Sequence, residues 1–108
     1  MRYRVVILPR AKLRIRQAVD FYLERSRSVD VASRWLNGLS RELTLLAESP
    51  ERFPLARESD AFDFPIRELL YGSGREKTHR VLFRIVESTV EVLTVRHRAQ
   101  HDVAPDEL

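Results

Sequence analysis

The chain has 108 residues, a formal net charge of +3, 44% apolar and 32% charged side chains, three glycines and no cysteine. A chain of this length buries roughly two thirds of the surface its unfolded form exposes, enough for one modest core but not for a second domain or a deep cofactor cradle. The apolar content excludes disorder, the lack of cysteine excludes disulfides and thiolate metal sites, and the longest apolar run, Val5 to Leu8, is far below the roughly 20 residues of a membrane-spanning helix.

Residues 2–8 begin with alternation that puts Tyr3, Val5 and Ile7 on one face, which predicts a strand stopped by Pro9. From Pro9 the apolar residues Ala11, Ile15, Ala18, Val19 and Tyr22 recur at helical spacing. Proline suits the first turn, where an N–H has no intrahelical partner, so a helix is expected from Pro9 to about Ser26. After a short polar link, Asp30 is the expected N-cap of a second helix reaching Ala47. Its stripe is Ala32, Leu36, Leu39, Leu43 and Leu46, with Trp35 beside it, and so short a link makes the two helices an antiparallel hairpin.

Ser49-Pro50 ends that helix, and residues 50–64 read as a loop. Three strands follow, at about 65–71, 78–86 and 90–97, divided by Gly72-Ser73-Gly74 and by Glu87-Ser88-Thr89. The order β-α-α-β-β-β predicts one α+β domain over residues 1–101, a helical hairpin packed on a small antiparallel sheet, with residues 102–108 as an acidic C-terminal tail. In the strand at 78–86, Val81, Phe83 and Ile85 form a core face, while Arg80, Leu82 and Arg84 form a basic one.

The charge is segregated along the chain. Residues 1–17 hold six basic side chains and no acid, 18–66 hold six basic and nine acidic, 67–101 hold seven and four, and 102–108 hold three acids alone. Such a distribution is the footprint of a surface that meets a polyanion or an acidic protein, or, on an Arg-rich chain, of a solvated face. No Gly-rich phosphate loop, GxSxG or HExxH motif is present. The three histidines lack the companion ligands of a metal site, so neither a metal nor a cofactor is expected, and the absence of cysteine and of an N-terminal apolar leader fits a cytoplasmic protein.

The remaining candidates for chemistry lie between Arg67 and His101: Arg67, Arg75, Lys77, His79, Arg80 and Arg84, then Arg96, His97, Arg98 and His101. Attack of an RNA 2′-hydroxyl on its own phosphate requires a base, a proton donor to the leaving oxygen, and cations for the charge that builds on phosphorus. Arginine offers a planar fork for phosphate oxygens, and histidine titrates near neutral pH. The same set serves equally for plain phosphate binding or for docking an acidic protein segment. Glu68, next to Arg67, is a candidate ion-pair partner for it.

Leu8-Pro9-Arg10-Ala11, Leu46-Ala47-Glu48-Ser49-Pro50, Ile66-Arg67-Glu68-Leu69, His79-Arg80-Val81-Leu82-Phe83-Arg84-Ile85 and Arg96-His97-Arg98 after a last strand stand in an order and spacing that resembles the RelE/ParE superfamily of bacterial toxins. The resemblance implies a growth-arresting toxin of a type II toxin–antitoxin module, bound and neutralised by a cognate acidic antitoxin in a hetero-oligomer. Members of the RelE branch cut mRNA on the ribosome with cationic residues of the sheet, and often a tyrosine near the C-terminus. Members of the ParE branch inhibit DNA gyrase without catalysis. Carried onto this chain, Arg80 and Arg98 match the family's strand arginine and the basic residue after the last strand, and Arg67 stands where a basic strand residue belongs. The basic residues and histidines of the last strands make RNA cleavage the first expectation, with Arg67, Arg80, Arg98 and His97 catalytic and the other six residues binding RNA or antitoxin. Gyrase inhibition is the alternative, favoured by the long helical hairpin, and so is a weakly active member that mainly binds its antitoxin.

Overall fold

The computed structural model of the chain describes residues 2–108. Strand β1 (Arg4–Ile7) leads through Leu8 into helix α1 (Pro9–Ser26), and helix α2 (Val29–Leu45) follows after two residues. Strands β2 (Arg67–Tyr71), β3 (His79–Val86) and β4 (Thr89–His97) complete the sheet. The expected elements are present, with shorter ends at β1 and β2. Arg27 ends α1 in the left-handed region at φ 54°, and its N–H donates to the Leu23 carbonyl. The cap of α2 is Ser28 and not Asp30: extended Ser28 accepts the Val31 N–H on its hydroxyl, while Asp30 sits inside the first turn, where its charge is favoured by the positive end of the helix dipole.

The sheet runs β1-β4-β3-β2, and the expectation of a wholly antiparallel sheet is corrected at one edge. β2–β3 and β3–β4 are antiparallel, but β1 pairs with β4 in parallel, from Arg4 opposite Thr89 to Ile7 opposite Val92. A parallel neighbour needs a long crossover, which the helical hairpin and following segments provide. Period-2 alternation within a strand carries no information about the direction of its neighbour.

Both helices cover one face of the sheet. Trp35, Leu39, Leu43 and Leu46 of the α2 stripe and its continuation pack with Val81, Phe83, Val90, Val92 and Val95. Tyr71 reaches over this core to donate its hydroxyl to the Trp35 carbonyl at 2.7 Å. Gly38 makes that approach possible, because a Cβ there would lie 2.2 Å from the Tyr71 oxygen.

The opposite face departs from expectation. Alternation predicts a basic face of Arg80, Leu82 and Arg84, but this side carries a second core of Ala56, Ile66, Leu82, Leu93 and Val103. The segment 50–66, with short helical turns at Pro50–Arg52 and Ser59–Ala61, supplies part of the cover. Residues 102–108 supply the rest, burying Val103 and forming a turn at Pro105–Glu107. A β-bulge makes the double-sided burial possible: Leu82 faces Thr94 and Phe83 faces Val92, so Leu93 is the extra residue and turns to the second core. The spacing Val90, Val92, Val95 therefore stays on the helix side despite its break in period.

Candidate functional site

The two faces divide the candidate residues. On the face away from the helices, Arg80 is 2% exposed. Its Nη1 and Nη2 donate to both carboxylate oxygens of Glu58, at 2.8 and 2.5 Å, and its Nε donates to Glu68. Glu58 also accepts the Val103 N–H at 3.1 Å, which ties residues 102–108 to the same network. Burial alone would raise the Glu58 pKa, but the Arg80 fork and the Val103 N–H outweigh it and hold the carboxyl at about 2. The same carboxylates raise the pKa of Arg80.

Its neighbours are engaged in the same way. Arg84 donates from Nε to Glu91 at 2.6 Å and lies over the Phe64 ring at 4.4 Å. Arg96, directly across the ladder from Arg80, donates to Glu107 at 3.3 Å and to the His101 carbonyl at 3.0 Å. Arg80, Arg84 and Arg96 therefore each hold a carboxylate from their own chain. Glu68, expected beside Arg67, serves Arg80 instead, because adjacent strand residues point to opposite faces.

On the helix side, His79 is buried and packs edge-on against Trp35 and His97, with ring centroids 5.0 and 5.2 Å away. Burial, reinforced by His97, lowers its pKa to about 4, so the ring is neutral at pH 7. Its Nδ1 lies 2.8 Å from the Thr78 hydroxyl. His97 is exposed, and its Nδ1 accepts the Ala99 N–H at 3.1 Å, which places the proton of the neutral ring on Nε2.

The structure does not bring Arg67, Arg80, Arg98 and His97 together. Arg67 shares the helix-side face with Phe83, its ladder partner, and donates to the Phe53 carbonyl at 2.7 Å, whereas Arg80 points to the other side. Arg98 is exposed and donates to the Lys77 carbonyl at 3.1 Å. Arg75 and Lys77 are exposed in the β2–β3 loop, and His101 is exposed with Nε2 3.4 Å from Glu107. Glu58 went unnoticed in the sequence, since nothing in an acidic loop marks which carboxylate will meet a strand arginine 22 residues away. Among the described residues, no group of three or more His, Cys, Asp or Glu side chains is placed to hold a metal ion, and no helix is long and apolar enough to cross a membrane.

The family model "ParE toxin of type II toxin-antitoxin system, parDE" matches residues 5–102, from β1 into the C-terminal segment. The chain belongs to the ParE toxin family. Among solved structures, a chain described as "Chromosomal ParDE TA system from P. aeruginosa" superposes with a TM-score of 0.66 at 12% identity, covering 88% of this chain and 95% of that one. The likeness is one of fold, two helices on a four-stranded sheet. A search of the curated proteins finds no match. Family membership makes the chain a toxin of a type II toxin–antitoxin system, and with that comes an antitoxin partner. The expectation of RelE-like, ribosome-dependent cleavage finds no support in the match.

Proposed function

We propose that this ParE-family toxin arrests growth by binding a protein target, DNA gyrase, and not by cutting RNA, and that a cognate acidic antitoxin neutralises it. The observation that carries this reading is the pairing of Arg80, Arg84 and Arg96 with Glu58, Glu68, Glu91 and Glu107. Charge that builds on a phosphate in the transition state is stabilised by cations free to meet it, and these three are already paired with carboxylates of the same chain. Neutral, buried His79 and the separation of Arg67 from Arg80 by the sheet point the same way. Residues 99–108 contain no tyrosine, where members of the RelE branch often carry one.

The helical hairpin offers the antitoxin a suitable seat. Ile7, Ile15, Val19, Leu36 and Leu43 line a groove of about 380 Å³ flanked by Lys12 and Arg16. An amphipathic acidic segment would bury its apolar face there and pair its carboxylates with the two cations.

Brief induction of the toxin, followed by primer-extension mapping of mRNA and by recovery of plasmid DNA, tests the target. The proposal expects intact message, a DNA-damage response and plasmid cleaved or relaxed by gyrase in vitro with purified toxin. Codon-positioned mRNA cuts alongside fully supercoiled plasmid would overturn it.

A further inference from the structure

A second pocket lies apart from the inter-helix groove and from the buried arginines. It has a volume of about 410 Å³ and opens between α1 and the C-terminal end of β4. Ala18, Tyr22, Val95 and buried His79 line it, Phe21 stands beside Tyr22 in an edge-to-face contact, and Arg14, Gln17, His97 and Gln100 supply its polar groups. Ala18 is the smallest side chain of the lining.

The hydrogen-bond state of the polar groups defines what fits. Gln17 already accepts from Arg14 on Oε1, and Gln100 already accepts the His97 N–H on Oε1, so both amides have N–H groups to offer. His97 has its Nδ1 occupied by the Ala99 N–H, which leaves Nε2–H as a donor. Arg14 can only donate. No carboxylate lines the pocket among the described residues. Four donors, one of them cationic, thus surround an aromatic and aliphatic interior, and a complementary ligand joins a planar ring to an anionic group.

We propose that this pocket binds a free nucleoside monophosphate, its base against Phe21 and Tyr22 and its phosphate among Arg14, Gln17, His97 and Gln100. The volume suits a ligand of that size, and base-on-aromatic stacking with an Arg-held phosphate is the chemistry the lining supplies. The site is independent of the toxin's target, and no step of gyrase inhibition depends on it.

The test is titration of the purified toxin with adenosine 5′-monophosphate, followed by the fluorescence of Trp35, which contacts both Tyr22 and His79, and by the NMR shifts of the His97 ring. Saturable binding is expected, about tenfold or more weaker for adenosine and for inorganic phosphate separately, and about tenfold weaker in Arg14→Ala and Gln100→Ala. Ala18→Leu should abolish it by filling the cavity. Arg14 is half-buried and Gln100 exposed, both outside the core, so their variants keep the test decisive even where Ala18→Leu fails to fold. Lack of saturation to about 10 mM, equal affinity for adenosine and the monophosphate, or unchanged binding in Arg14→Ala and Gln100→Ala would each overturn the proposal. Tight binding of a single-stranded oligonucleotide with none of the monophosphate would also reject it, in favour of a nucleic-acid surface.

Discussion

Glu58 clamps Arg80 with both carboxylate oxygens, at 2.8 and 2.5 Å, and each side chain of the pair is 2% exposed. The contact joins a loop of the middle chain to the start of β3, and through the Val103 N–H it fastens residues 102–108 as well. An arginine that looks like a phosphate ligand in the sequence is therefore buried and paired with two carboxylates, and three segments meet at the Arg80–Glu58 pair.

Removing one member of that pair leaves the other buried without a partner, and this is the costly case for an interior ion pair. Glu58→Gln should lower the unfolding free energy by about 3–5 kcal/mol in urea titrations. Glu68→Gln should lower it less, because Glu68 is 20% exposed and water can replace part of the loss. Unchanged stability in both variants would show that the buried pair does not hold the fold.

Stability should fall on acidification in two stages. The folded-state pKa of His79, about 4, lies below its ordinary value near 6.5, so between those values the unfolded chain binds more protons than the folded one. The contribution of His79 is complete above pH 6.5 and declines as pH falls toward 4, on the order of 3 kcal/mol in all. Glu58, held at about 2, adds a second loss that begins below about pH 4.5 and continues toward 2. Chemical denaturation from pH 7 to 4 checks the first stage, and His79→Phe should flatten it while leaving the second.

Gly38→Ala should destabilise the fold, against the helix preference of alanine. In an exposed helix interior the exchange gains up to about 1 kcal/mol, but here the new Cβ meets the Tyr71 hydroxyl 2.2 Å away. A net loss of about 1–3 kcal/mol is expected. The double variant with Tyr71→Phe should recover part of it, and a thermal-denaturation cycle of the four proteins measures the coupling.

The docking of residues 102–108 should depend on Val103 more than on surface charge. Val103 is 3% exposed, and truncation to alanine should cost about 1–2 kcal/mol and raise proteolysis after residue 98. Arg57 and Asp102 form an ion pair with both side chains 56% exposed, so Arg57→Ala should change stability by less than about 1 kcal/mol. Limited proteolysis with urea titration separates the two effects.

Local chemistry made the elements and the helix-side core legible in the sequence. Pro9 opens α1 and Pro50 follows the end of α2, the Leu39-Leu43-Leu46 stripe identifies the buried face of the second helix, and Tyr3, Val5 and Ile7 pack where alternation puts them. Each of these signals operates within about one turn or a few strand residues, as capping, phase and alternation do. Tertiary structure alone decided the parallel seat of β1, the bulge that turns Leu93 to the second core, and the burial of Arg80 by Glu58. Those outcomes depend on which distant segments meet. A sequence shows that an arginine lies on the polar side of a strand, but whether that side meets water, phosphate or the chain's own carboxylates is settled only when residues 50–66 and 102–108 fold over it.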